Sequence, residues 1–126
     1  MNILGIDYGE KKIGIALATS KIAEPLGVIK FEEWGKFVER LVEIITEDKI
    51  EKIIIGLSEE ETGKKTKQFA ERLKKEISIP VEYFDETLST QEAQRLSREA
   101  LVKRQKRTAL EDAFAASVML QNYLEK

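Results

Sequence analysis

The sequence predicts an α/β fold: a mixed five-stranded sheet, made of a three-strand antiparallel meander plus two parallel strands, with helices on both faces. Three observations predict it. Three apolar runs follow one another at the amino end with only turns between them, so those strands pair as a meander. Beyond them the apolar spacing alternates between helical and strand periods. Right-handed crossovers then place the two later strands parallel to the first, on its far side from the meander. At 126 residues the chain reads as one domain, 1–126, with a single core.

Ile3 to Asp7 is the first apolar run, and Lys12 to Ala18 follows after the turn Tyr8-Gly9-Glu10-Lys11, the length of a four-residue hairpin loop. Leu26 to Phe31 is the third, with Pro25 at its entrance, a position that suits an edge strand. The period then changes. Trp34, Phe37, Val38, Leu41, Val42 and Ile45 recur at three and four, which predicts an amphipathic helix ending near Asp48. Lys52 to Leu57 is nearly all apolar, as a strand covered on both faces should be. Glu59 to Lys65 reads as a charged loop. A second helix follows with Phe69, Ala70, Leu73 and Ile77 inward, stopped by Pro80. Val81 to Phe84 is the fifth strand. Ser89-Thr90-Gln91-Glu92 has the pattern of a capping box, which starts a third helix reaching about Ala100. The last helix runs from about Ala109 to Leu124, with Ala113, Ala116, Ser117, Leu120 and Leu124 on its inner side. Gly5, Gly14 and Gly56 sit inside strands, where they weaken β structure and mark the close approach of a helix or a ligand, the helix being favoured.

The chain has no histidine and no cysteine. That removes imidazole bases, thiol nucleophiles, disulfides and thiolate metal sites. It leaves chemistry done by carboxylates and by the hard cations that carboxylates hold. Cysteine-free composition fits a reducing cytosol, the amino end opens directly into a strand rather than a signal peptide, and no apolar run is long enough to span a membrane; a cytoplasmic protein without membrane contact is expected.

Asp7 ends the first strand, and Asp85 and Glu86 end the fifth. With those strands parallel, both sites fall on the carboxyl edge, where α/β sheets bind ligands. Asp112 lies in the first turn of the last helix, and the small residues Ala113, Ala116 and Ser117 allow that helix to approach the sheet and bring Asp112 to the same edge. Each acid alone has a structural explanation: a turn at Asp7, a strand end at Asp85, a solvated Glu86, the helix dipole at Asp112. Together they form a cluster. Two unit charges 4 Å apart repel by about 4 kcal/mol at an effective dielectric near 20, so the cluster either keeps a proton or recruits a cation. With oxygen ligands only, Mg²⁺ or Mn²⁺ fits. Net charge is −2, but Lys64, Lys65 and Lys67 form one basic cluster, and Lys103, Arg104, Lys106 and Arg107 another. Such clusters serve either as solvated faces or as contacts to phosphates.

Gly5-Ile-Asp-Tyr-Gly9, Lys12-Ile-Gly-Ile-Ala16, Gly56-Leu57, Asp85-Glu-x-Leu-Ser-Thr90 and Asp112-x-x-Ala-Ala116 with Leu120-Gln121 resemble, in order and over the whole chain, the YqgF/RuvX family. That family has an RNase H-like fold and is described as Holliday junction resolvases and as pre-16S rRNA processing nucleases. The resemblance implies a divalent-metal-dependent endonuclease processing the 5′ end of pre-16S rRNA, with Holliday junction resolution on four-way DNA as the alternative. It carries the family's acidic positions onto Asp7, Glu86 and Asp112 as catalytic and metal-holding residues, and Asp85 matches a recurring acid beside them, a candidate further ligand. The partner implied is nucleic acid, either a structured RNA precursor or branched DNA. A weak homodimer is allowed, since a resolvase making two symmetric cuts needs one and an RNA-trimming enzyme does not.

This sequence departs from the family's pattern at two places. Ser58 stands where the family usually has Pro, followed by the Glu59–Glu61 run, and Thr87 stands where it usually has Arg. An Arg there could grip a phosphate or neutralise the acids, so its loss keeps open a non-catalytic RNase H-like module that binds a ribosomal or transcription partner. The opening motif also resembles the actin and sugar-kinase superfamily, whose members need a second domain and a second phosphate hairpin; this chain has neither.

Overall fold

The computed structural model describes residues 1–9, 11–57, 61–85 and 108–125, and among these the side chains at 57, 61–63, 85 and 108–112 lie outside the description. Strands β1 (Ile3–Asp7), β2 (Lys12–Ala18) and β3 (Ala23–Lys30) form the meander. Helix α1 (Trp34–Glu47), strand β4 (Lys52–Leu57), helix α2 (Glu61–Lys74) and strand β5 (Val81–Asp85) follow, and helix α3 (Thr108–Glu125) ends the fold. The five strands form one sheet in the order β3-β2-β1-β4-β5. β1 pairs antiparallel with β2 and parallel with β4, and β5 extends the parallel half. This is the mixed sheet that the meander and the crossover rule predict.

Strand alternation divides the core into two layers. Leu4, Ile6, Ile13, Ile15, Ile53 and Ile55 pack beneath Phe37 and Leu41 of α1 and Phe69, Ala70 and Leu73 of α2. On the other face, Ile3, Ala16, Ala18, Ile54 and Phe84 pack beneath Ala116, Met119 and Leu120 of α3. The second layer is made of small residues along its middle. Gly5 stands opposite Ala16, and a Cβ added at Gly5 would lie 3.0 Å from Cβ of Leu120. Gly5 is therefore a close-packing glycine, the helix-side explanation its position in a strand calls for.

Several boundaries differ from the sequence expectation. β3 starts at Ala23, so Pro25 lies within an edge strand rather than at its entrance, and a register shift at Ile15/Ala16 absorbs the extra residue. α2 begins at Glu61, making helix of a stretch that reads as loop; Thr62 and Gly63 are poor helix formers, and it is the buried stripe Thr66, Phe69, Ala70 and Leu73, with polar Thr66 as its first member, that anchors the helix. It ends at Lys74, so Ile77 packs half-buried against the first layer from beyond the helix. The helix expected over Ser89 to about Ala100 lies outside the described residues.

Candidate functional site

β1, β4 and β5 run parallel, so their carboxyl ends at Asp7, Leu57 and Asp85 make one edge. Ile6 pairs with Ile55, and Gly56 with Phe84, which sets Asp7 level with Gly56 and Phe84. At about 4.8 Å per strand step, position 84 is roughly 10 Å from Asp7 across the sheet, and Asp85 is one residue further out. Asp7 shares its face with Ile3 and Gly5, beneath α3, and is half-buried. Its partner across the β1–β2 ladder is the buried Gly14. The turn that follows is tight: a Cβ at Gly9 would strike the carbonyl oxygen of Lys12. Only glycine fits there, and the hairpin that ends β1 on Asp7 depends on it.

α3 runs back across the sheet. Leu120 sits over Gly5, while Tyr123 reaches Lys52, whose strand partner is Ile3. The helix therefore travels from the carboxyl edge toward the amino edge of β1. Gln121 fixes its far end: its Nε2 donates to the carbonyl of Lys21 at 2.9 Å, and its Oε1 accepts from the amide of Ala23 at 2.8 Å. Position 112 lies eight residues before Leu120, about 12 Å toward the carboxyl edge. It falls in the same helical stripe as Ala116, Met119 and Tyr123, the stripe packed on the sheet.

The backbone thus brings positions 7, 85 and 112 to one edge of the molecule. Glu86 lies outside the described residues, as do the side chains of Asp85 and Asp112. Among the described residues no group of three or more acidic side chains is gathered in one place. Of the basic residues, Lys64, Lys65 and Lys67 are exposed on α2. Lys103, Arg104, Lys106 and Arg107 lie outside the described residues.

One feature at this edge went unread in the sequence. A cleft of about 500 Å³ opens beside Tyr8, the residue after Asp7, with Phe31, Trp34 and Phe69 as its other rings. Lys65, Gln68 and Arg72 of α2 complete its lining. Five of the nine aromatic side chains meet here, counting Phe37 beneath; Tyr8 and Phe69 have ring centroids 4.8 Å apart, and Trp34 meets Phe69 edge-on at 5.9 Å. Trp34 and Phe69 read in the sequence as inward helix positions, which hid the open side of the cluster. The usable signal is the spacing 65, 68, 72, a polar and basic stripe bordering the buried Phe69.

Comparison with known proteins places the chain in context. A family model described as "RuvX: Holliday junction resolvase" matches residues 1–126. A relative from Thermoanaerobacter pseudethanolicus, named "Putative pre-16S rRNA nuclease", is 40% identical, with 99% of this chain and 96% of the relative covered. One of the same name from Desulforamulus reducens is 37% identical, with 99% and 97% covered. Among solved structures, RuvC of T. thermophilus in complex with a Holliday junction substrate superposes with a TM-score of 0.62 at 16% identity, covering 99% of this chain and 95% of that one. The fowlpox virus Holliday junction resolvase superposes at 0.60 and 15%, with 99% of both chains covered. These two likenesses establish the RNase H-like fold.

Proposed function

This chain belongs to the RuvX family, and from that premise we propose that it is a single-domain, divalent-metal-dependent endonuclease that processes the 5′ end of pre-16S rRNA. The observation that carries the reading is the carboxyl edge: Asp7 ends the central strand β1, the parallel strand β5 ends on Asp85 at the same edge, and position 112 overhangs it from α3. The names of the relatives support a nuclease and favour the RNA precursor. The family description favours a four-way DNA junction as the second reading, which would require a homodimer to make two symmetric cuts.

The residues at the edge fit a hard cation. The donors are carboxylates at the carboxyl edge of parallel strands, Asp7 is half-buried, and the chain offers no imidazole or thiolate to draw a softer metal. Asp7, Glu86 and Asp112 would hold Mg²⁺ or Mn²⁺, with Asp85 beside them. Bound there, the ion would supply Lewis-acid chemistry for phosphodiester hydrolysis. The chain's own part is to hold the ligands on rigid elements and to grip the strand. Asp7 is fixed by the β1–β2 ladder and the Gly9 turn, and α3 is pinned on the sheet by Leu120 and Gln121. Lys64, Lys65 and Lys67, with Lys103, Arg104, Lys106 and Arg107, would neutralise backbone phosphates, so affinity should fall steeply with salt. No helix among the described residues is long and apolar enough to cross a membrane; the proposed place of work is the cytoplasm.

The test is Asp7→Asn, assayed with Mg²⁺ and Mn²⁺ on an rRNA precursor and a four-way DNA junction side by side. Cleavage should fall by about 10²-fold or more, the scale of losing a group that stabilises transition-state charge. Undiminished cleavage would remove Asp7, and with it the carboxylate-held metal, from the reaction, and preference for the junction would favour the second reading.

A further inference from the structure

We propose that the cleft beside Tyr8 is a subsite for one unpaired nucleotide of the substrate strand, its base held against the aromatic rings and its phosphate by Lys65 and Arg72. The proposal rests on the nuclease reading for the identity of the strand and adds a second site to it. The chemistry of the cleft defines the ligand. Phe69 is its deepest ring at 5% exposure, while Tyr8, Phe31 and Trp34 are half-buried and keep part of their surface open. Flat apolar surface of this kind suits a π system, and base–aromatic stacking tolerates any sequence because every base has a π face.

The polar lining points to an anion attached to that ring. Lys65, Gln68 and Arg72 lie three and four residues apart on α2, all exposed along the rim, and among the described residues no acidic one lines the cleft. The Arg72 guanidinium lies 4.1 Å above the centroid of Trp34. It is thereby stacked on an aromatic face while its edge remains available for a phosphate. A volume near 500 Å³ falls in the range of small-molecule sites and is large enough for one nucleotide rather than a duplex.

Position links the cleft to the reaction. Tyr8 is the chain neighbour of Asp7, with Cα atoms about 3.8 Å apart, and the two lie on opposite sides of the end of β1: Tyr8 packs with the α1–α2 layer and Asp7 faces α3. A strand whose nucleotide is held against Tyr8 therefore lies at the same carboxyl edge that Asp7 ends. Capturing an unpaired base next to the cutting position selects for junctions between paired and unpaired strand, a selection that backbone-phosphate contacts alone do not make.

Trp34 is the chain's only tryptophan, so its fluorescence reports on this cleft alone. The full chain carrying Asp7→Asn is titrated with a short oligouridylate and with an abasic oligonucleotide of the same length and charge. The base-bearing strand should change Trp34 fluorescence and bind about tenfold tighter than the abasic one. Arg72→Gln, on the exposed rim, should weaken base-bearing binding about fivefold through the lost phosphate contact. Equal binding of the two strands with Trp34 unperturbed overturns the proposal, and so does an acidic peptide that perturbs Trp34 where the oligouridylate does not. Because wild-type chain in chelator serves equally well, the titration stands if a variant fails to fold. Failure of the nuclease reading looks different: the wild-type chain with Mg²⁺ or Mn²⁺ would cut neither the rRNA precursor nor the four-way junction, whatever the fluorescence shows.

Discussion

At the scale of single residues, the site is set by what is missing as much as by what is present. Asp7 faces α3 across a ladder partner, Gly14, with no side chain, and Gly5 two residues earlier lets Leu120 come down onto the sheet. Gly5→Val should therefore act through α3. Its branched side chain meets Cβ and Cδ2 of Leu120, at 3.0 and 3.2 Å from the first added carbon, and must push the helix away. Overpacking of this kind costs about 1–3 kcal/mol, which chemical denaturation would measure, and any surviving cleavage should fall with it because position 112 rides on the same helix. The sequence makes Gly5 and Asp7 legible, since a glycine in a strand and an acid at its end both break the local apolar pattern. It does not make the cleft legible. Trp34 and Phe69 obey the helical period of core residues, and periodicity registers which way a ring points without registering whether it is covered.

At the scale of elements, α2 departs most from its reading. Charged residues from Glu61 onward carry no apolar stripe, so the pattern reads as loop, yet they form the first turns of a helix. That helix is tied to β5 through one exposed cluster: the Tyr83 hydroxyl donates to Glu71 at 2.9 Å, and Lys74 donates to the same carboxylate oxygen at 2.8 Å. The hydrogen bond from Lys74, and after it that from Tyr83, holds the Glu71 carboxyl below its ordinary range. A carboxyl whose folded value is depressed stabilises the fold above its unfolded pKa and loses that contribution as pH falls through the folded value. Glu71→Gln should thus melt below wild type at neutral pH, with the gap closing as pH drops beneath the carboxylate range; melting curves from neutral pH down to strong acid check this. A constant gap would mean that Glu71 acts by packing. The effect should be small and salt-sensitive, since the cluster is exposed. By contrast β1, β2, β4 and α3 fall within a residue of their expected bounds, because apolar alternation and the small-residue stripe have single good solutions there.

At the scale of the whole molecule, topology does the assembling. Positions 7 and 112 are more than a hundred residues apart in the chain and belong to elements with no local reason to meet. The parallel arrangement of β1, β4 and β5 and the return of α3 over Gly5 bring them to one edge. Crossover handedness and the direction of each strand are readable from element order, so this convergence could be anticipated. What element order cannot convey is how closely the carboxylates approach, because that depends on side-chain packing between strand ends and helix. A crystal structure soaked in Mn²⁺, with the metal located by its anomalous scattering, tests the central claim most directly. The account predicts manganese held jointly by Asp7, Glu86 and Asp112, and none in the same soak of Asp7→Asn. Carboxylates turned away from one another, with no manganese at the edge while the soaked protein still cuts its substrate, would contradict it.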